Sequence, residues 1–136
     1  KANVRNLLNK SHQMRNLPTA NNVRQEIQDK KQREVFDKLV ELVNANLTDQ
    51  QFSVDHLCLE LGMNRTKLYS FIKSTTGMSL GNYIRKIRLD KAAELLRTTD
   101  MSISEVGYAV GIESPSYFTR TFKEQFGSSP SEFIKH

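Results

Sequence analysis

The sequence predicts an all-α protein in which two helix-turn-helix subdomains are joined by a long bridging helix, about seven helices in all. Two observations predict it. Apolar residues recur at three- and four-residue steps in short segments bounded by Ser caps and Gly stops, and the order of those segments is repeated once along the chain.

Residues 1–30 are rich in Asn and Gln, with a Leu17-Pro18-Thr19-Ala20 break and few apolar residues beyond Val4, Leu7 and Leu8. A short helix followed by a linker from an upstream domain is expected there. From Lys31 a helical stripe begins with Phe36, Leu39, Val40, Val43 and Leu47. It should end near Asn46, where Thr48-Asp49 starts a turn. Ser53 then caps a short helix carrying Val54, Leu57, Cys58 and Leu61, and Gly62 stops it. A second helix follows from Arg65 to Ser74, with Leu68, Phe71 and Ile72 inward and Gly77 closing it. Ser79 caps the bridging helix, in which Tyr83, Ile84, Ile87, Ala92, Leu95 and Leu96 face the core.

After Thr98-Thr99-Asp100 the pattern returns. Ser102, Ile103, Val106, Gly107, Val110 and Gly111 stand 49 positions after Ser53, Val54, Leu57, Cys58, Leu61 and Gly62. Past the turn the offset becomes 50, so that Leu68, Ile72, Lys73, Gly77 and Ser79 match Phe118, Phe122, Lys123, Gly127 and Ser129. The duplication therefore carries one extra residue in its second turn. It divides the expected domain, 31–136, into a first unit (31–79), a bridge (80–97) and a second unit (98–136).

A 136-residue chain suits one domain plus a tail, and 38% hydrophobic content suffices for a small core. The single Cys58 forms no internal disulfide, and His12, His56 and His136 are scattered, so no zinc-type cluster or other cofactor is implied and a cytoplasmic setting fits. Apolar runs are too short to span a bilayer, and no signal peptide follows the basic N-terminus. The start at Lys1 suggests a piece of a longer protein. Enzymatic readings lack a phosphate-cradling loop, a metalloprotease motif or an acid pair in an evident cleft.

Net charge is +5, with +4 on residues 1–46 and +1 on residues 47–136. Within the latter, residues 64–91 hold Arg65, Lys67, Lys73, Arg85, Lys86, Arg88 and Lys91 against Asp90 alone. A solvated helix face would explain such a run by itself. The repeat favours a polyanion. In a helix-turn-helix the two helices cross closely, which needs a small residue at the crossing, and Cys58 and Gly107 occupy that place. Gly62 and Gly111 supply the backbone freedom to leave the first helix, and Met63 and Ile112 would pack the turn down. The second helix then projects, and its early residues can enter a major groove.

Base contacts are expected from Thr66, Lys67 and Ser70 in the first unit and from Ser116, Tyr117 and Arg120 in the second. Arg120 is suited to a bidentate guanine contact, worth about 1–3 kcal/mol of discrimination. Phosphate contacts are expected from Arg65, Lys73, Arg85, Lys86, Thr119 and Lys123. Tyr69 and Tyr117 stay open between groove contact and surface packing. Phe118, Phe122, Phe126 and Phe133 read as core rather than as a base-stacking stripe, Cys58 as a small core residue, and His56 as a solvent-facing one. Arg88 and Lys91 lie on the bridge, where salt bridges to Glu94 or Asp90 compete with DNA contact.

The stretch from Ser53 to Lys135, about three fifths of the chain, resembles the AraC/XylS family of transcription regulators. "ISEVGYAVGIESPSYFTRTFKEQFGSSPSEF" (103–133) carries the likeness. The resemblance implies an all-α domain whose two recognition helices enter successive major-groove segments on one face of double-stranded DNA. It further implies transcriptional activation with RNA polymerase as a partner. Thr66, Ser70, Ser116 and Arg120 match positions from which family members reach bases. Many relatives carry Arg where Ser70 stands, so base specificity is expected to lean on the second unit and electrostatic anchoring on the first, with Lys67 compensating. The leading "VRNLLNKSHQMRN" looks like the exit from a response-regulator receiver in hybrid two-component sensors of Bacteroidetes. That likeness implies an upstream receiver or sensor domain in the same chain, membrane-anchored in the intact protein, with this fragment as its cytoplasmic output. The competing reading is a helical protein-interaction module without specific DNA affinity, suggested by the near-neutral charge of residues 47–136.

Overall fold

The computed structural model describes residues 20–49 and 51–134. The expected short helix, the Leu17-Pro18 break and the receiver-like segment lie outside the described residues. Seven helices and no strand occur among the described residues. They are α1 (Ala20–Ala45), α2 (Val54–Leu61), α3 (Arg65–Thr76), α4 (Leu80–Thr98), α5 (Ile103–Ala109), α6 (Pro115–Phe126) and α7 (Pro130–Ile134). The described residues divide into two units, with the boundary between Phe36 and Asp37.

The described part of the first unit is the leading stretch of α1. This helix begins at Ala20, eleven residues before the Lys31 start expected from periodicity, so residues 20–30 are helix rather than linker. The signal was missing because the apolar residues there, Val23 and Ile27, are 46% and 52% exposed and mark no buried face. Straight-chain polar residues with good helix propensity, and an i,i+4 hydrogen bond from Gln25 to Asp29 (2.9 Å), carry those turns instead.

In the second unit, the bridging helix α4 packs against α3, α5, α6 and α7. Leu80, Ile87, Leu89, Ala92, Ala93 and Leu96 are all buried on it. Leu89 and Ala93 were not expected inside. They stand at i, i+3, i+4 and i+7 with Ala92 and Leu96, one stripe rotated from the expected one that began at Tyr83, Ile84 and Ile87. Leu89, Ala92, Ala93 and Leu96 join Val106, Val110, Ile112, Phe118 and Phe122 in one apolar cluster, against which Leu47, Phe126 and Phe133 pack. The Phe stripe is therefore core, with Phe118–Phe122 and Phe122–Phe133 edge-to-face at 5.8 and 5.3 Å. Toward the first repeat, Leu39, Val43, Leu57, Leu68 and Ile72 are buried, while Val54, Cys58, Leu61 and Phe71 are half-buried.

The caps Ser53, Ser79 and Ser102 form as read, each accepting a backbone N–H in the first turn of the next helix, and the structure adds Asn64 and Ser114, which cap α3 and α6 in the same way. Gly62 and Gly111 adopt φ of +67° and +81°. In both turns the residue after that glycine donates its N–H to the carbonyl of the crossing residue, Met63 to Cys58 (3.0 Å) and Ile112 to Gly107 (2.8 Å). A Cβ on Gly107 would stand 3.2 Å from the Ile112 carbonyl and from the Phe118 ring, which is why the second crossing takes glycine. Since Met63 pairs with Ile112 and cap Asn64 with cap Ser114, the extra residue of the second turn is Glu113.

Candidate nucleic-acid interface

The site consists of the outer faces of α3 and α6, the second helix of each repeat. Each starts from a side-chain cap and buries its i, i+4 pair, Leu68 and Ile72 or Phe118 and Phe122, so the positions on the opposite side are turned outward. Thr66, Lys67, Tyr69, Ser70 and Lys73 are exposed on α3, and Ser116, Tyr117, Thr119, Arg120 and Lys123 on α6. Every expected base-reading residue thus lies on a solvent-facing surface of the expected helix. Thr121, which sits between them, is buried and spends its hydroxyl on the Tyr117 carbonyl at 2.8 Å.

Several of the side chains are already engaged. Arg85, on α4, donates to the Tyr117 hydroxyl at 3.1 Å, and the Arg120 guanidinium lies over the Tyr117 ring, 5.3 Å from its centroid. Tyr117 therefore sits between two cations, one on the bridge and one on the reading face. Sequence spacing could not show this pairing, which joins residues 32 apart. In the first repeat, Arg65 reaches Asp55 of α2 at 2.9 Å and the Tyr69 hydroxyl at 3.3 Å. The Asp55 carboxylate raises the Arg65 pKa above its ordinary value. Lys73 turns back to the Gly77 carbonyl (3.1 Å), closing α3.

On the bridge, Lys86 pairs with Asp90 (2.8 Å) and Lys91 with Glu94 (3.3 Å). Arg88 departs from the expectation. It pairs with neither Asp90 nor Glu94; its Nη1 donates to the backbone carbonyls of Leu47 (2.6 Å) and Val110 (2.8 Å). Burial lowers its pKa from the ordinary value. His56 is exposed as read and stacks on Phe52, with ring centroids 6.1 Å apart. Among the described residues no three potential metal ligands gather, and no helix is long and apolar enough to cross a membrane.

A family model described as a helix-turn-helix domain matches residues 57–136. The chain is 37% identical over 100 residues to histidine kinase P4 of Formosa agariphila, covering 74% of this chain and 7% of that protein. It spans about 30% of the length of other curated regulators that it matches. Among solved structures, it superposes on a transcriptional regulator with an AraC-type DNA-binding domain from Chromobacterium violaceum. That match has a TM-score of 0.69 and 29% identity, and covers 79% of this chain and 92% of that one. The DNA-binding domain of the global transcriptional factor AdpA, solved with a target DNA, matches with a TM-score of 0.62 and 29% identity over 76% of this chain and 89% of that one.

Proposed function

The chain belongs to the family of AraC-type helix-turn-helix DNA-binding domains, and on that premise we propose that α3 and α6 enter successive major-groove segments on one face of a duplex operator. Sequence-specific binding of double-stranded DNA in transcription regulation is the function of the domain. The observation that carries the two-groove reading is the duplication itself. Two equivalent helices, capped alike and exposing equivalent positions, stand on a single continuous bridge. Recognition helices that read adjacent grooves on one face lie about 34 Å apart, one turn of DNA.

Thr66, Lys67, Ser70, Ser116, Tyr117 and Arg120 contact bases in this reading, and Arg65, Lys73, Arg85, Lys86, Thr119 and Lys123 contact phosphates. The exposed pairs Arg65–Asp55 and Lys86–Asp90 do not oppose it. Such solvent-exposed pairs are weak, so exchanging the carboxylate for a phosphate costs little. Arg120 stands where the first repeat has Ser70, which supports a stronger base reading by the second repeat.

The intact protein is a cytoplasmic-side regulator in which this domain is the output of an upstream receiver or sensor and acts on RNA polymerase. The likeness to a histidine kinase of which this chain would span only 7% supports that arrangement.

The test is a titration of a selected operator and of unrelated duplex at several salt concentrations. Affinity for both should fall steeply with salt, since neutralising phosphates releases counterions. Arg120→Ala should weaken the operator complex by roughly 10-fold or more, the lower range of a lost bidentate contact, and spare unrelated duplex. Salt-insensitive binding, or an unchanged operator affinity for Arg120→Ala, would instead favour a protein-interaction module.

A further inference from the structure

We propose that Arg88 is the positioning residue that sets the spacing between the two recognition helices, by fastening the turn after α1 to the turn of the second repeat. The inference rests on the two-groove reading above.

One nitrogen carries the connection. Arg88 Nη1 donates both to the Leu47 carbonyl, just past α1, and to the Val110 carbonyl, at the end of α5. Arg88 itself belongs to α4, so three elements meet on one guanidinium. The Leu47 side chain reinforces the joint by packing against the apolar cluster of the second repeat. Sequence separations of 41 and 22 make these long-range ties rather than local helix chemistry. A charged donor half-withdrawn from water holds its acceptors more firmly than an exposed pair would, because leaving them re-exposes little and strands a desolvated charge.

The two turns record the same asymmetry. Gly62 and Gly111 have similar left-handed backbones, yet a Cβ on Gly62 would meet nothing within 4 Å. A Cβ on Gly111 would fall on the Arg88 guanidinium and on the Leu47 carbonyl. The second turn is thus closed by the clamp, and the first is open. The atoms that crowd Gly111 belong to Arg88 and Leu47, outside the second helix-turn-helix, so the crowding belongs to the joint between repeats.

A clamp of this kind acts on DNA without touching it. If the two reading helices are held in one arrangement, the operator must present its two half-motifs at one separation. If the joint is loose, only a fraction of molecules match any given separation, and affinity falls in proportion to that fraction.

The experiment compares the parent chain with Arg88→Met, Gly111→Ala and Gly62→Ala on the selected operator and on versions with one or two base pairs added or removed between half-motifs. Unrelated duplex and far-ultraviolet circular dichroism serve as controls for charge and fold. Gly62→Ala carries the same backbone strain as Gly111→Ala but does not reach the clamp, so it separates a loosened joint from a strained turn. The parent should prefer one spacing by roughly 10-fold, and Arg88→Met and Gly111→Ala should lose about that factor on the preferred spacing while their profile across spacings flattens. Gly62→Ala should keep the parent's profile. If Arg88→Met and Gly111→Ala retain the parent's spacing preference, the clamp is refuted and the two-groove reading stands. Should the parent itself show no spacing preference, the two-groove reading falls and takes the clamp with it. If Arg88→Met does not fold, the two glycine variants decide alone.

Discussion

Tyr117 is held on both sides, and separating the two contacts gives a quantitative prediction. Tyr117→Ala removes the ring under the Arg120 guanidinium and the hydroxyl that accepts from Arg85; Tyr117→Phe removes only the hydroxyl. Both partners are exposed or half-exposed, so the ring contact is worth about 0.5–1 kcal/mol, the range for exposed cation–π pairs. If that contact holds Arg120 ready for its base, losing it subtracts the same amount from the 1–3 kcal/mol or so that a bidentate base contact can supply. Discrimination at the base pair read by Arg120 should then drop by about 2- to 5-fold in Tyr117→Ala, and stay near the parent's in Tyr117→Phe. The assay is competition anisotropy with four duplexes that differ only at that pair, itself identified as the position whose preference disappears in Arg120→Ala. Full discrimination in Tyr117→Ala would refute the positioning argument, and so would an equal loss in both variants.

The remaining predictions concern stability. Phe118 is 1% exposed and contacts both Gly107 and Phe122, so Phe118→Ala should cost about 3–5 kcal/mol and lower the melting temperature by roughly 12 °C or more. Gly107→Ala should destabilise by about 1–3 kcal/mol despite the better helix propensity of Ala, because its neighbours are a backbone carbonyl and a fully buried ring that cannot give way. Gly81→Ala, on α4 with open space around its Cβ, should stabilise by about 0.5–1 kcal/mol; thermal melts of the pair decide whether space or propensity governs. Glu105 closes a capping box with Ser102, whose N–H and hydroxyl hold the carboxyl below its ordinary value of 4.5. A depressed carboxylate contributes stability above its unfolded value and loses it as pH falls through the folded one. The melting advantage of the parent over Glu105→Ala should therefore be constant above about pH 5 and shrink below pH 4.5. An advantage that persists unchanged in acid would contradict the capping-box assignment.

What was legible in the sequence were the features set by local chemistry. Ser53, Ser79 and Ser102 announce helix starts because a side-chain oxygen satisfies an orphan N–H, and Gly62 and Gly111 announce turns that need a positive φ. The offset between repeats, 49 before the turn and 50 after it, marks the crossing residues and both reading helices. The features that escaped depend on what lies across the fold. Leu89 and Ala93 complete one stripe with Ala92 and Leu96 that packs on the second repeat, and the expected stripe, begun from Tyr83, Ile84 and Ile87, ran past them because which face of α4 is covered is set by the helices packed across it. Arg88 reads as a surface cation until Leu47 and Val110 are brought beside it. Arg85 and Tyr117 likewise meet only after α6 folds against α4. The early start of α1 was hidden for the opposite reason, since exposed Val23 and Ile27 leave no apolar stripe to count.

Selection from random duplex DNA with the isolated chain tests the two-repeat reading most directly. Enrichment of a bipartite motif, its halves centred about 10–10.5 base pairs apart and the half lost in Arg120→Ala the more strongly specified, is the result expected of two unequal reading helices on one bridge. A single undivided half-motif, or no enrichment at all, would contradict it.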